Sequence, residues 1–279
     1  MNKAEKKVTP GGKSSLSSSN AMEDVQASHD AREIPISRVG IKDLSHPITI
    51  QNRDGSTSSS IASFSMSVSL PHDQKGTHMS RFIQMLNETE TVVSAKSFHK
   101  MLNGMVQRLE ADNGYIEMQF PYFIEKTAPV SGVKSLMDYQ VSLAGQIENG
   151  YVDSTLEITV PVKSLCPCSK KISEYGAHNQ RSHLTVGINC SSKMWLNELI
   201  KIVEAQASAE LFAILKRPDE KYITERAYNN PKFVEDVVRD VANEFDNNDK
   251  ISRYYVHAEN FESIHNHSAF AVVEHDKST

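Results

Sequence analysis

The chain has 279 residues, of which 39% are hydrophobic, 30 are basic and 35 are acidic, so its formal net charge is -5. This length suffices for a sizeable core, and the acidic balance argues against nucleic-acid binding, which normally requires a basic excess. No apolar run approaches the ~20 residues that a membrane span needs, and the N-terminus lacks the apolar centre of a signal peptide. We therefore expect a cytoplasmic protein with no membrane or nucleic-acid partner.

The first segment, residues 1–32, is rich in serine, lysine, glycine and asparagine and has almost no aromatic residues. Such a segment cannot bury enough apolar surface to offset the entropy lost on ordering. We predict a disordered tail here.

Residues 33–150 show strand and helix periodicities in the order ββααββ. Apolar residues that alternate with polar ones predict strands, and apolar residues at three-and-four spacing predict helices. A weak strand lies around Ile48 and Ile50. The apolar positions of the following elements are, in chain order, Phe64, Met66, Val68 and Leu70 (strand), Met79, Phe82, Ile83 and Leu86 (helix), Phe98, Met101, Leu102, Met105, Val106 and Leu109 (helix), Ile116, Met118, Phe120 and Tyr122 (strand), and Tyr139, Val141, Leu143 and Ile147 (strand).

Residues 151–279 repeat this order. Two alternating strands are followed by a helix that begins at about Met194 and is expected to end at Pro218, because proline cannot continue a helix. The last helix is expected to start at Asn230-Pro231, and two strands close the chain. The pattern predicts an α+β fold of two tandem ββααββ modules, with antiparallel sheets, paired helices on one face and edges open to closure by association into an oligomeric barrel.

A metal site is suggested where Cys166 and Cys168 flank Pro167 after a predicted strand, with His178 twelve residues beyond Cys166. The chain has only three cysteines, too few for a disulfide framework or a closed site of four cysteines. Any metal would take mixed sulfur, nitrogen and oxygen ligands, and three protein ligands would leave a position for water, as in catalytic sites. The alternative is an ordinary turn with two buried thiols, which a bare Cys-x-Cys favours.

Other candidate residues carry weaker signals. Glu220 follows the predicted helix end and is expected in a loop, where it is either a site carboxylate or simply solvated. His265 lies in the turn between the last two strands, although turn histidines are usually solvated. The third cysteine, Cys190, alternates with apolar residues and is predicted to be in the core, whereas His183 falls on the opposite strand face and is structural or on the surface.

Four separated segments resemble the prokaryotic GTP cyclohydrolases of type IB. They are SLPHDQKGTHMSRF at residues 69–82, SLCPCSK at 164–170, GAHNQRS at 176–182 and ESIHNH at 262–267. The resemblance extends from about Ile34 to the C-terminus. It implies the tunnelling fold with two ββααββ modules, a homotetramer with active sites at subunit interfaces, and hydrolysis of GTP to 7,8-dihydroneopterin 3'-triphosphate and formate, the first step of tetrahydrofolate synthesis.

The resemblance also implies roles for individual residues. Cys166, His178 and Glu220 would bind one divalent metal (zinc, manganese or iron), which would lower the pKa of water towards neutrality. His265 would be the acid/base residue beside the metal, because imidazole titrates near the working pH. Glu235 would hold guanine through its N–H groups and so reject ATP. Its alternative role is to complement the helix dipole.

The triphosphate of GTP is strongly anionic, whereas the protein is net acidic, so a local basic pocket is required. The densest candidate is the basic segment His72, Lys75, His78 and Arg81, at a predicted strand-to-helix junction whose N–H groups suit phosphate. A solvated basic face is the alternative. Weaker candidates are Lys170, Lys171 and Arg181.

Cys168 and two rival functions complete the predictions. The resemblance places Cys168 near the metal without requiring it as a ligand, and we treat it as a candidate catalytic residue that could pair with Cys166 on oxidation. One rival function is that of another tunnelling-fold purine enzyme, such as a nitrile reductase of queuosine synthesis, with a covalent cysteine, a nicotinamide cofactor and no metal. The other is a zinc-stabilised binding module, which chelation would unfold. Metal content and its effect on folding separate the three functions.

Overall fold

The computed structural model describes residues 24–89 and 92–278, and over these ranges the chain is an α+β protein with one large sheet. The strands are β1 Ile36–Gln51, β2 Thr57–Leu70, β3 Val92–Val93, β4 Gly114–Thr127, β5 Lys134–Glu148, β6 Tyr151–Leu165, β7 Asn179–Cys190, β8 Ala209–Glu210, β9 Ile251–Asn260 and β10 Ala269–Asp276. The helices are α1 Met79–Glu88, α2 Ala95–Leu109, α3 Pro167–Ile172, α4 Leu196–Ala205, α5 Arg217–Asn229 and α6 Val234–Asp246.

The ten described strands form a single sheet in the order β10-β9-β7-β6-β5-β4-β2-β1-β3, with β8 beside β6. All of the described pairs are antiparallel except the two-residue pair of β1 with β3. The register aligns buried residues on one face from strand to strand, as in Ile158 opposite Val186 and Val186 opposite Val256. Helices α1, α2, α4 and α6 cover this face, so the predicted strand periodicities place their apolar residues in one continuous core.

The opposite face of the sheet, here called the open face, carries mostly polar side chains such as Glu157, Thr159 and Thr185. Gly187 allows the Tyr255 ring to lie across β7, since a Cβ atom at position 187 would come within 2.1 Å of that ring. The Tyr255 hydroxyl donates to Glu157, and burial together with this carboxylate raises the pKa of the phenol. Strands β6 and β9, which lie on either side of β7, are thereby tied on the side away from the core.

The predictions for the second set of helices were wrong at both Pro218 and Asn230. The helix that carries Leu199 and Val203 ends at Ala205, and a further helix, α5, begins at Arg217. Pro218 lies in the first turn of α5, where its missing N–H has no intrahelical partner to lose. The last helix begins at Val234, so Asn230 ends α5 instead of starting α6.

Glu220 and the Cys166 segment also differ from their predictions. Glu220 lies in the first turn of α5, not in a loop. The predicted loop at Cys166 contains the short helix α3, for which Cys166 is the N-cap and Pro167 the first residue. Proline at the start of a helix again explains the difference, because its fixed φ suits this position.

The predicted tail and the predicted environment of Cys190 need correction as well. Residues 1–23 lie outside the described residues, but residues 24–32 hydrogen-bond to the segment that follows β2: the Asp30 N–H donates to the Asp73 carbonyl at 2.9 Å. Cys190 is exposed at the last position of β7, beyond the buried part of that strand. No helix in the described ranges is long and apolar enough to cross a membrane.

Candidate metal centre

Cys166 and His178 meet at one end of the sheet, here called the metal end. Leu165 is the last residue of β6 and pairs with Asn179, the first residue of β7. The ladder continues one step further, since the Cys166 N–H donates to the His178 carbonyl at 3.2 Å. Antiparallel pairing therefore brings together two residues that are twelve positions apart in the sequence.

The Cys166 thiol is half-buried and held in place by the first turn of α3. The Ser169 N–H donates to Cys166 Sγ at 3.4 Å, which satisfies one of the free donors of that turn. Cys168 lies two residues further along the chain and is exposed. The two thiols thus differ in setting, and Cys166 is the one fixed beside His178.

The His178 imidazole is also fixed in place. Its Nδ1 atom lies 3.1 Å from Gln180 Oε1 and 3.7 Å from Glu262 Oε2. Only 12% of the His178 side chain is exposed, against 11% for Glu262. The His265 ring stands perpendicular to the His178 ring with centroids 6.5 Å apart, and His265 stacks on His267 at 5.1 Å. The structure thus brings His265 to the metal end, on an exposed loop.

Glu220 is at the metal end, because the neighbouring Asp219 accepts hydrogen bonds from the β4–β5 loop, and the start of β5 aligns with the end of β6. It does not join Cys166 and His178 in a cluster of possible metal ligands. It is exposed at the start of α5. The other end of this helix contacts α3, where Lys170 Nζ donates to the Tyr228 carbonyl and lies 4.3 Å from the Tyr228 ring centroid. Tyr228 lies eight positions after Glu220 in the helix, a rise of about 12 Å.

Within the described ranges, no three histidine, cysteine, aspartate or glutamate side chains are spaced to hold a metal ion. Cys166 and His178 fit such an ion as a half-site of one sulfur and one nitrogen donor, a combination that suits zinc, iron or manganese with a further oxygen ligand. For Glu220 to complete the predicted set of three ligands, it would have to reach this pair after a movement of α5 or from another subunit.

Glu235 lies in the first turn of α6 and is exposed. The segment that leads into α6 runs beside the end of β6, because the Lys232 N–H donates to the Leu165 carbonyl at 3.1 Å. Leu165 immediately precedes Cys166. The register of this segment therefore brings the start of α6 to the metal end of the sheet.

The basic segment His72, Lys75, His78 and Arg81 lies at the opposite end of the sheet. It follows β2, whose end aligns through β4 and β5 with Tyr151, the first residue of β6. Cys166 follows the far end of β6, and a strand of 15 residues extends about 50 Å. In one chain, therefore, the basic segment and the metal end cannot contact the same nucleotide.

The members of the basic segment differ in their contacts. His72 and Lys75 are exposed. His78 Nε2 lies 3.2 Å from Asp24 Oδ1, and Arg81 donates to the Arg108 carbonyl at 3.2 Å. At the metal end, the weaker candidates Lys171 and Arg181 are exposed, while Lys170 contacts Tyr228 as described above.

Four residues that the sequence analysis did not single out lie behind His178: Ser164, Gln180, Ser182 and Asn260. The sequence carries a signal for Ser164, Ser182 and Asn260. Each is a polar residue at a strand end that continues the alternation of the buried apolar residues in that strand. His183, on the open face, packs edge-to-face on Phe261 at 4.8 Å. Burial, and then the Arg181 charge, lower the pKa of His183, which fits the structural role that was one of its predictions.

The fold of this chain is similar to the fold of urate oxidases of known structure. Solved urate oxidases superpose on most of the chain: the enzyme from Bacillus sp. TB-90 gives a TM-score of 0.53 at 8% identity and covers 87% of this chain and 99% of its own. The urate oxidase of Bacillus subtilis 168 gives 0.52 at 7% identity, covering 86% and 99%. At such low identity the likeness shows the fold alone.

The chain belongs to the family described as type I GTP cyclohydrolase folE2, whose model matches residues 22–271. It is 58% identical over 255 residues to the GTP cyclohydrolase FolE2 of Nitrosomonas eutropha, covering 91% of this chain and 96% of that protein. It is 59% identical over 256 residues to the GTP cyclohydrolase FolE2 of Thiobacillus denitrificans, covering 92% and 95%. The resemblance predicted from the four motifs is confirmed.

Proposed function

We propose that this chain is a metal-dependent GTP cyclohydrolase I, which hydrolyses GTP to 7,8-dihydroneopterin 3'-triphosphate and formate at the start of tetrahydrofolate synthesis. The observation that carries the proposal is membership of the cyclohydrolase family over nearly the whole chain. The pairing of Cys166 with His178 at the ends of adjacent strands supports it independently. The proposal places the enzyme in the cytoplasm.

We further propose that the sheet is a tunnelling fold of two ββααββ modules, residues 33–150 and 151–279. The supporting observation is the element order, in which α3 and α5 are extra helices of the second module. The boundary would lie in the turn between β5 and β6, where Asn149 and Gly150 both have positive φ. Within the part of the chain that the structure describes, the sheet has two open edges, at β3 and β10, which support assembly of copies into a closed homotetramer.

In this proposal Cys166, His178 and Glu220 hold one divalent cation. The cation would supply Lewis-acid chemistry, which makes water nucleophilic near neutral pH for attack on guanine C8. The described chain supports the first two ligands by their adjacency. The exposed carboxylate of Glu220 at the metal end supports the third, with approach from a neighbouring subunit or by movement of α5.

Two residues act on the purine itself in this proposal. His265 shuttles protons from the attacking water to guanine N9 and N7 as their bonds to C8 break, and its position on a loop beside His178 supports this role. Glu235 accepts hydrogen bonds from guanine N1–H and N2–H in a bidentate geometry that adenine cannot match. The exposed start of α6 at the metal end leaves its carboxylate available.

The triphosphate is proposed to bind His72, Lys75, His78 and Arg81. Since these residues lie about one strand length from Cys166, a complete site would combine the metal end of one subunit with the basic segment of its neighbour. Exposed His72 and Lys75 remain available for such contacts. Cys168, exposed beside the metal ligand, is kept as a candidate residue of the same site.

The test is to incubate metal-loaded protein with GTP and to measure formate and a fluorescent oxidised pterin. We expect both products from GTP and neither from ATP. Chelation should abolish turnover while the circular dichroism of the folded protein persists, which separates a catalytic metal from a zinc-stabilised binding module. Absence of formate under metal-loaded conditions, or pterin formation by a Cys166→Ala variant at the wild-type rate, would contradict the proposal.

A further inference from the structure

The core face of the sheet changes from apolar to polar at the metal end, in the same phase on three strands. On β6, Val162 is followed on that face by Ser164; on β9, Ala258 is followed by Asn260. On β7 the same face ends in Ser182 and Gln180. Ser164, Ser182 and Asn260 are only 3%, 1% and 7% exposed. Burial of this kind is costly unless every polar group has a partner.

These side chains form one connected hydrogen-bond chain. Gln180 Nε2 donates to Ser164 Oγ at 3.0 Å, and the Ser164 and Ser182 hydroxyls are 2.7 Å apart. Ser182 Oγ lies 2.6 Å from Asn260 Oδ1. The register places Ser164 opposite Gln180 and Ser182 opposite Asn260, so the strand pairing itself builds the chain.

Because Oδ1 is the Asn260 atom that faces Ser182, the hydrogen bonds of the chain run in one direction. An amide oxygen can only accept, so the single Ser182 proton goes to Asn260. Ser164 must then donate to Ser182, and its own oxygen accepts from Gln180 Nε2. This leaves the carbonyl oxygen of Gln180 directed at His178.

The same argument extends to the imidazole. Gln180 Oε1 lies 3.1 Å from His178 Nδ1 and can only accept, so Nδ1 carries the proton. The other ring nitrogen, Nε2, then presents its lone pair away from the chain. Metal-binding histidines usually donate the N–H of their second nitrogen to such a partner, which fixes the ring and its tautomer.

The end of the hydrogen-bond chain at Asn260 adjoins the loop that carries His265. Asn260 is the last residue of β9, and the Glu262 N–H donates back to the Asn260 carbonyl at 3.0 Å. The neighbouring strand β7 also contacts this loop, because the Phe261 N–H donates to the Arg181 carbonyl at 3.1 Å. The buried chain thus spans from His178 to the base of the His265 loop.

We propose that Gln180, supported by Ser164, Ser182 and Asn260, is a positioning residue that holds His178 with Nε2 directed at the metal and keeps it in register with the His265 loop. This inference rests on the proposed function, because it assigns a partner to a proposed metal ligand. None of the four residues is proposed to touch GTP. Their contribution would appear first in metal affinity and only through it in turnover.

The test compares Gln180→Leu, which removes the acceptor, with Gln180→Glu, which retains one for Nδ1–H. Affinity for Zn²⁺ is measured by competition with a chelator, and the absorption spectrum of Co²⁺-loaded protein reports the coordination. We expect Gln180→Leu to bind Zn²⁺ about 10- to 100-fold more weakly, with an altered Co²⁺ spectrum, and Gln180→Glu to stay close to wild type. Gln146→Leu, at a half-buried glutamine on the open face of β5, is the matched control.

A second variant, Ser182→Ala, interrupts the chain behind Gln180 and should weaken Zn²⁺ binding less than Gln180→Leu does. Wild-type affinity in Gln180→Leu, or equal losses in Gln180→Leu and Gln180→Glu, would overturn the inference while leaving GTP turnover by the wild type intact. Two other results would instead overturn the proposed function. One is wild-type Zn²⁺ affinity in a His178→Ala variant, and the other is absence of formate when the wild-type protein is incubated with GTP.

Discussion

At the scale of single residues, His265 and His267 offer a matched pair. Their rings stack 5.1 Å apart on one loop, and the His265 ring stands against that of His178. We predict that His265→Ala lowers kcat by about 10²- to 10⁴-fold, the usual contribution of a positioned acid/base group, while metal content stays unchanged. His267→Ala is the control and should retain most activity. Equal losses in the two variants would argue against a proton-transfer role for His265.

Glu235 supports a prediction about substrate choice. Hydrogen bonds to a charged group contribute about 1.5–3 kcal/mol, or roughly 10- to 150-fold in kcat/KM. We therefore expect Glu235→Gln to lose about that much kcat/KM for GTP without losing metal. Glu244→Gln, at an exposed carboxylate near the end of the same helix, should behave as wild type. If both variants behave alike, Glu235 serves only the helix terminus.

The residues of the metal end differed in how far the sequence could predict them. Cys166 and His178 stand in local motifs, so their pairing was predictable. The partnership of Gln180 and Asn260 was not predictable, because the alternation phase of a polar residue at a strand end does not reveal which residue it contacts. Their partnership depends on the register between β6, β7 and β9, which is a non-local property.

At the scale of elements, Asp219 connects α5 to the β4–β5 hairpin. It is fully buried and accepts hydrogen bonds from the N–H groups of Val130, Ser131 and Lys216, at 2.8, 2.8 and 2.9 Å, and from the Ser131 hydroxyl at 2.6 Å. One carboxylate therefore caps the helix and closes the hairpin loop. This contact therefore also fixes the backbone position of the adjacent Glu220.

These hydrogen bonds give Asp219 a distinctive pH dependence. Burial alone would raise its pKa, but the donors of Ser131, Lys216 and Val130 hold the pKa well below the usual 3.8. Because the folded value is the lower one, the stabilisation is complete above the usual pKa and is lost as pH falls through the folded value.

We predict that Asp219→Ala lowers Tm at neutral pH and that its deficit against wild type shrinks in strong acid. Thermal unfolding measured from neutral pH to well below 3.8 checks this. Asp138→Ala, at an exposed aspartate of β5, should show a small effect at all pH values. A deficit for Asp219→Ala that stays constant into strong acid would exclude the charged hydrogen bonds as its cause.

Helix α5 also shows where element prediction fails. The segment of α5 has a weak apolar periodicity, because only Asp219, Ile223 and Ala227 of this helix are buried. Without a clear helical pattern after it, Pro218 predicts the end of the preceding helix. Proline has the same fixed φ in both settings, and the sequence around Pro218 does not distinguish them. By contrast, α1, α2 and the long strands have strong apolar stripes, and the structure confirms them.

At the scale of the whole molecule, the sheet separates the metal end from the basic segment by about one strand length, which is about 50 Å for β6. A site that uses both must form between subunits. The individual motifs were predictable, but this separation was not, because it depends on the order of the strands across the sheet. The structure thereby adds a constraint on assembly that no motif contains.

This constraint predicts complementation between two inactive variants. Cys166→Ala lacks the metal end, and a His72→Ala/Lys75→Ala protein lacks the exposed part of the basic segment. Unfolded separately and refolded together, the two should regain up to about one quarter of wild-type activity, since random assortment leaves one interface in four with both intact halves. Refolding each variant alone is the control. Failure of the mixture to exceed both controls would contradict a shared site.

The most direct test of the central claim is X-ray absorption spectroscopy at the metal edge of the Zn²⁺-loaded protein. We predict one sulfur scatterer at about 2.3 Å and nitrogen or oxygen scatterers at about 2.0–2.2 Å. The sulfur should disappear in Cys166→Ala and remain in Cys168→Ser. A metal environment without sulfur, or one that Cys166→Ala leaves unchanged, would contradict the account.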